Sequence, residues 1–328
     1  MVENAYGVQD GRPADAKIQL KGEPDKPGEV VPRKFLDVLG GQRLPAETRD
    51  SGRRALAEWI TDRTNPLTAR VFVNRVWQWH FGRGLVATLN NFGERGETPS
   101  HPELLDWLAM EFMDSGWSLK QLHRLMLNSR TYQLAGTDDA ENLARDADNR
   151  SFWRANRRRL EAEELRDGIM LISGTLDLEP PSEGHPFPPM EKWGFTQHHP
   201  FKDNYETAKR AVYQMTKRLT VEPYWQAFDG PDRNANTPER GQSVTSLQAL
   251  YFLNDEFVHR QAEHFARRIV AAAPAAGARL DMAFETVLGR GPTAEERHQA
   301  ETFLRAAGED WPALARVLLR MNEFLYVD

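Results

Sequence analysis

From Ser51 onward the apolar residues recur with the 3.6-residue period of a helix. Leu56, Trp59 and Ile60 share one face, and the stretch stops at Asn65-Pro66, where proline suits the first turn of the next helix. That next helix carries Leu67, Val71, Val76, Trp77 and His80 and ends at Gly82 and Gly84. Ser100-His-Pro-Glu103 and Ser118-Leu-Lys-Gln121 both read as capping boxes, which predicts a helical hairpin over 99–130. Residues 51–130 are therefore expected to form four helices with a core of Leu56, Trp59, Val76, Leu105, Leu108, Phe112, Leu122 and Met126. Further helices are predicted over 157–172, 246–253, 256–271, 279–288, 294–306 and 312–322, with start signals at Thr293-Ala-Glu-Glu296 and Asp310.

The alternation typical of a strand is sparse. Lys17–Lys21 and Ala211–Thr216 alternate and are predicted to pair with each other, while 22–32, punctuated by proline and glycine, reads as an extended loop. Residues 175–205 form a proline-rich crossover. The expected fold is mainly α: a multi-helical, bundle-like domain with a small β element (strands near 17–21 and 211–216) and long irregular loops. Its expected organisation is an N-terminal strand and loop over 1–48, a main helical domain over 49–270, and a C-terminal helical subdomain over 279–328.

The chain of 328 residues has a net charge of −6, and its basic residues are spread along it, which argues against a nucleic-acid partner. Cysteine is absent, so disulfides, thiolate nucleophiles and cysteine-bound zinc are excluded. No window approaches the ~20 apolar residues of a membrane span, and the first residues hold no signal-peptide stretch. The Gly-x-Ser-x-Gly elbow, the phosphate loop and the dinucleotide fingerprint are all missing.

Several stretches read in order carry a resemblance: Gly52-Arg-Arg-Ala-Leu-Ala, Asn65-Pro-Leu-Thr-Ala-Arg-Val, Asn74-Arg-Val-Trp, His80-Phe-Gly-Arg-Gly-Leu-Val86 and His101-Pro-Glu-Leu-Leu-Asp-Trp-Leu108. To these add Gly116-Trp-Ser-Leu-Lys120, Arg157-Arg-Arg-Leu-Glu-Ala-Glu163, Phe228-Asp, Gln248-Ala-Leu, Leu288-Gly-Arg290 and Asn322-Glu-Phe-Leu-Tyr326. Together they resemble the domain of unknown function 1553 of planctomycetes and their relatives. The resemblance implies the C-terminal domain of an exported polypeptide with a cytochrome c-like segment upstream, hence an extracytoplasmic location. It brings no established reaction. With no Cys-x-x-Cys-His here, the expected cofactor content of this chain is none, any haem belonging to upstream segments. Asn91-Phe-Gly93 stands where the family commonly has Asp-Phe-Gly.

Four groups of residues bear on chemistry. Arg70, Asn74, Arg75, Trp77 and His80 on one helix suit an anion or sugar site, with guanidinium forks and an aromatic platform, or else a buried network tying helices together. The mixed charges of 157–167 read as a salt-bridged helix face, with Arg157 meeting Glu161 and Arg159 meeting Glu163. His185, His198 and His199 in the crossover offer imidazoles to a metal, against the plainer reading of solvated loop histidines. Asp229 and Asp232, beside Tyr224, Trp225 and Phe228, are the carboxylates a glycosidase needs, with His101 as a further candidate; Asp-Gly-Pro-Asp is also ordinary turn chemistry. The preferred reading is a binding or interaction module facing a protein partner or an acidic or sulfated glycan. The alternative is a carbohydrate-active hydrolase.

Overall fold

The computed structural model describes residues 9–45, 48–182, 207–218 and 221–327. They are mainly helical, with two small antiparallel sheets, and none of the described helices is long and apolar enough to cross a membrane. The chain divides into two compact units, one of residues 1–134 with 139–154 and the other of 135–138 with 155–328.

In the first unit a hairpin joins β1 (Ala16–Gln19) to β2 (Pro27–Val31), with Ala16 opposite Val31. The segment read as a loop thus supplies the partner of the early strand, and Pro27 takes the first strand position, where its missing N–H costs least. Residues 211–216 are not a strand, which corrects that expectation. Ala211–Tyr213 is a single 3-10 turn whose Ala211 N–H donates to both carboxylate oxygens of Asp167, at 2.8 and 3.0 Å.

Four helices follow as predicted: α1 (Arg53–Ile60), α2 (Thr68–Phe81), α3 (Pro102–Asp114) and α4 (Leu119–Leu127), then a short α5 (Ala140–Arg145). Val76, Trp77, Leu105, Leu108, Phe112, Leu122 and Met126 meet in one core. Each fully buried aliphatic chain there contributes roughly 1.5–3 kcal/mol. Leu56, by contrast, is 43% exposed. The apolar side of α1 meets the N-terminal segment instead, where Trp59 stacks on Phe35 at 5.0 Å and donates to Gln42 Oε1 at 3.0 Å. Ser118 caps α4 as expected, but Ser100 does not cap α3. Pro102 sets the helix start one residue late, so His101 is the cap residue, and the Ser100 N–H and hydroxyl both donate to Leu85 O.

The second unit is built around α9 (Glu256–Ala272), which packs on α6 (Ala162–Ser173), α8 (Ser246–Asn254), α10 (Ala276–Leu288) and α12 (Trp311–Leu318). Val258, Ala262, Phe265, Ala266 and Ile269 form the buried stripe of α9 at helical spacing. Two short helices, α7 (Pro223–Ala227) and α13 (Asn322–Leu325), and the capped α11 (Ala294–Ala306) complete it. Residues from 279 on share this core with α6 and α9. The helix predicted from 157 begins at Ala162, because Arg158–Arg159 is a strand, β3, paired with β4 (Tyr326–Val327). Glu161 and Glu164 then close a capping box at the start of α6.

Candidate functional site

Several polar side chains of α2 are engaged by the first unit's own fold, although Arg75 Nε, Trp77 Nε1 and Gln78 Oε1 are buried without a partner among the described residues. Arg70 donates from Nε to Asp106 Oδ1 at 2.6 Å and from Nη1 to Pro66 O at 2.9 Å, and this partner holds the Asp106 carboxyl below its usual range. Asn74 is fully buried: its amide donates to Val86 O and its carbonyl accepts from Val86 N–H, both at 2.9 Å. Arg75 Nη2 donates to Asn90 Oδ1 at 2.6 Å. Trp77 is buried and stacks on Phe81 at 4.0 Å, so its face offers no open platform. His80 Nε2 lies 2.7 Å from His123 Nδ1, and burial, then the His123 ring, push His80 below its ordinary value. His101 Nδ1 is 3.0 Å from Ser100 Oγ, with its ring tilted against Phe152. Arg70 and Asn74 thus serve different neighbours, although both lie on α2.

In the second unit, three stretches that carry the family resemblance meet in space. Arg159 Nη1 donates to Ser243 O at 2.5 Å and Gln248 Oε1 at 2.6 Å, and Gln248 Nε2 donates to Ala227 O at 2.8 Å. Ser243 donates from its N–H and hydroxyl to Asp229 Oδ2, at 2.7 and 2.8 Å. Arg240 completes the ring, donating from Nε to Asp229 O at 3.1 Å and gripping both oxygens of Glu163 at 3.2 and 2.9 Å. Burial pushes the neighbouring Glu161 carboxyl up, against the pull of Arg240. The helix-face pair expected between Arg159 and Glu163 does not form, because Arg159 is on β3 and its guanidinium turns to Gln248. The gap left among these residues is about 10 Å³, room for roughly one water. Asp229 has φ of 55° at the end of α7, and Asp232 Oδ1 accepts from Asn234 N–H at 2.8 Å, so both carboxylates shape a turn.

A separate cavity of about 810 Å³ in the same unit is bounded by α6, α7, α8 and α9. Tyr224, Trp225, Leu247, Leu250, Tyr251 and Phe257 supply its apolar wall. Tyr224 donates its hydroxyl to Ala162 O at 2.6 Å and Trp225 Nε1 donates to Glu222 Oε2 at 3.1 Å, so those polar ends are taken. Other lining groups are not. Gln214 Oε1 is buried without a partner. Gln261 Oε1 accepts from Ser173 and Thr175 hydroxyls at 2.6 and 2.7 Å, which orients the side chain and leaves its amide N–H groups without a described acceptor. Among the described residues, the side chains of Asn254 and His264 and the Tyr251 hydroxyl make no hydrogen bond. Burial, then the charge of Asp255, raise the Tyr251 phenol, so it stays a neutral donor.

The sequence did not single out this cavity, yet a signal exists: Leu247, Leu250, Tyr251 and Asn254 stand at i, i+3, i+4 and i+7 and so share one face of α8. His185, His198 and His199 lie outside the described residues. Among the described residues no cluster of three or more histidine or carboxylate side chains is placed to hold a metal.

Fold and site together define a mainly helical protein in which arginines and amides from separate segments fasten loops to helices, beside a sizeable cavity. The chain belongs to the family PSD1, described as a protein of unknown function (DUF1553), whose model matches residues 52–304. Compared with the curated proteins and with the solved structures, the chain matches none.

Proposed function

We propose that this chain is a ligand-binding module whose site is the cavity bounded by α6, α7, α8 and α9, acting within a larger exported polypeptide and needing no haem of its own. The observation that supports this reading is the contrast in how polar groups are used. Around Asp229 they are consumed by one another, whereas around the cavity Gln214, Tyr251, Asn254, Gln261 and His264 keep hydrogen-bonding capacity that the described residues do not use. The hydrolase reading is the weaker one. Asp229 is occupied by Ser243, Asp232 by Asn234 and His101 by Ser100, and the gap beside Asp229 is only about 10 Å³. An acidic or sulfated glycan at Arg70 and Arg75 would have to displace Asp106 and Asn90.

Crystals soaked in a cocktail of acetamide, phenol and glycerol test the reading. The probes should collect in the cavity against Tyr251 and Gln261, and a panel of p-nitrophenyl glycosides should remain intact. Probes that settle only elsewhere, or glycoside turnover abolished by Asp229→Asn, would overturn it.

A further inference from the structure

Resting on that reading of the cavity, we infer the class of its ligand: an uncharged saccharide that carries an apolar arm. The sugar hydroxyls sit among Gln214, Tyr251, Asn254, Gln261 and His264, and the arm lies along Leu247 and Leu250.

The charge pattern speaks first. Of the charged residues lining the cavity, Arg166 and Arg260 are matched in number by Glu222 and Asp255. The buried Arg166 guanidinium is already paired with a carboxylate, Nη1 donating to Asp167 Oδ1 at 3.0 Å and Lys209 O at 3.1 Å and Nη2 to Thr207 O at 2.5 Å. Glu222 accepts from Trp225, and Asp255 accepts from Phe257 N–H at 2.9 Å as the cap of α9. An ionic ligand would enter without a surplus countercharge to repay its desolvation.

The open groups come next. Gln214 Oε1 is an acceptor, the Gln261 amide a donor, and Tyr251 and Asn254 can act either way. A hydroxyl-rich ring, each of whose OH groups gives one hydrogen bond and accepts others, satisfies such a mixed set, whereas a hydrocarbon would strand all of it.

The third observation concerns α8. Leu247 and Leu250 line the cavity and yet remain 60% and 51% exposed. Hydroxyls alone would leave both wet. An alkyl or aryl substituent continuing from the sugar removes that apolar surface from water, and the cavity volume of about 810 Å³ lies within the range of small-molecule sites.

The test titrates the full chain, below the micellar concentration, with the octyl glycosides of glucose, galactose and mannose, the corresponding free sugars, and octyl sulfate. At least one octyl glycoside should bind, with its free sugar weaker by about tenfold or more, the worth of one well-buried apolar group, and with octyl sulfate weaker by about tenfold or more because its head leaves the cavity's polar groups unpaired. Leu250→Asn should bring the octyl glycoside down toward the free sugar, and Asn254→Ala should weaken both. Both positions are exposed, and circular dichroism checks the fold; Leu247→Asn replaces Leu250→Asn should the latter melt early. Octyl sulfate binding as tightly as the glycosides overturns the uncharged head while the cavity reading stands. A free sugar matching its octyl glycoside overturns the arm, and no binding by any octyl glycoside overturns the inference as a whole. Binding that none of the folded variants alters places the ligand elsewhere and sinks the cavity reading itself.

Discussion

Asn74 shows how one side chain accounts for two of the stretches that identify the family. Its amide spans both backbone groups of Val86, and the chain returns to it through Gly82, in the left-handed region at φ of 74°, and through Gly84. A Cβ at Gly84 would stand 2.6 Å from Val86 O and 2.9 Å from Asn74 Nδ2, so the close approach requires glycine. Asn74→Ala strands two buried backbone groups and should cost roughly 2–5 kcal/mol in a urea melt. Gly84→Ala should be destabilising for the same contact, and Asn74→Asp should not rescue, because a carboxylate has no donor for Val86 O. His80 carries a pH dependence. Its lowered folded value means that the unfolded chain binds more protons, so stability rises with pH. The contribution is whole above the ordinary value of 6.5 and is lost as pH falls below it through the folded value. His80→Gln should flatten that slope in melts taken between about pH 5 and 8.

At the scale of elements, most helices were legible because their apolar faces repeat cleanly. Thr293 and Glu296 form the expected capping box, and Asp310 caps α12 through Ala313 N–H. The errors cluster where a partner far along the chain decided the outcome. Arg158 and Arg159 have helical neighbours but pair with the chain's last strand, and Ala211–Tyr213 alternates like a strand but is captured by Asp167. The cavity was illegible for a related reason: its lining comes from four helices and from segments between them that include Thr207 and Gln214, and only the spacing along α8 hinted at it. Arg290 joins two elements that the sequence left separate, holding Glu296 at the start of α11 and Glu323 on α13 with two hydrogen bonds each, all at 2.7–2.8 Å. This partner draws the Glu296 carboxyl down to about 2. The resulting stabilisation is present above the ordinary value of 4.5 and is lost as pH falls from there toward 2. Glu296→Gln should therefore shrink the acid limb of the stability profile, and Arg290→Lys should lower the melting temperature, since an ammonium cannot form both forks.

At the scale of the molecule, each unit has its own hydrophobic core, centred on α2 with α3 in the first and on α9 in the second. Phe265 is wholly buried in the second. Phe265→Ala should cost about 3–5 kcal/mol and be read as lost amide protection across α6, α9 and α12, the helices that share its core. An unchanged exchange pattern would contradict the view of α9 as the centre of that unit.

The small pairing of β3 with β4 has a consequence for how the protein is made. A ribosome releases the chain from its N-terminus, and domains generally fold as units as they emerge. Every residue of the first core is present once Arg154 is free, whereas Arg158 must wait through nearly all of the second unit for Val327. Closing so long a loop is slow, and until then the apolar faces of α6 and α9 stand without their α12 partner. The second unit is therefore the half of the nascent chain with the greater need of a chaperone's cover.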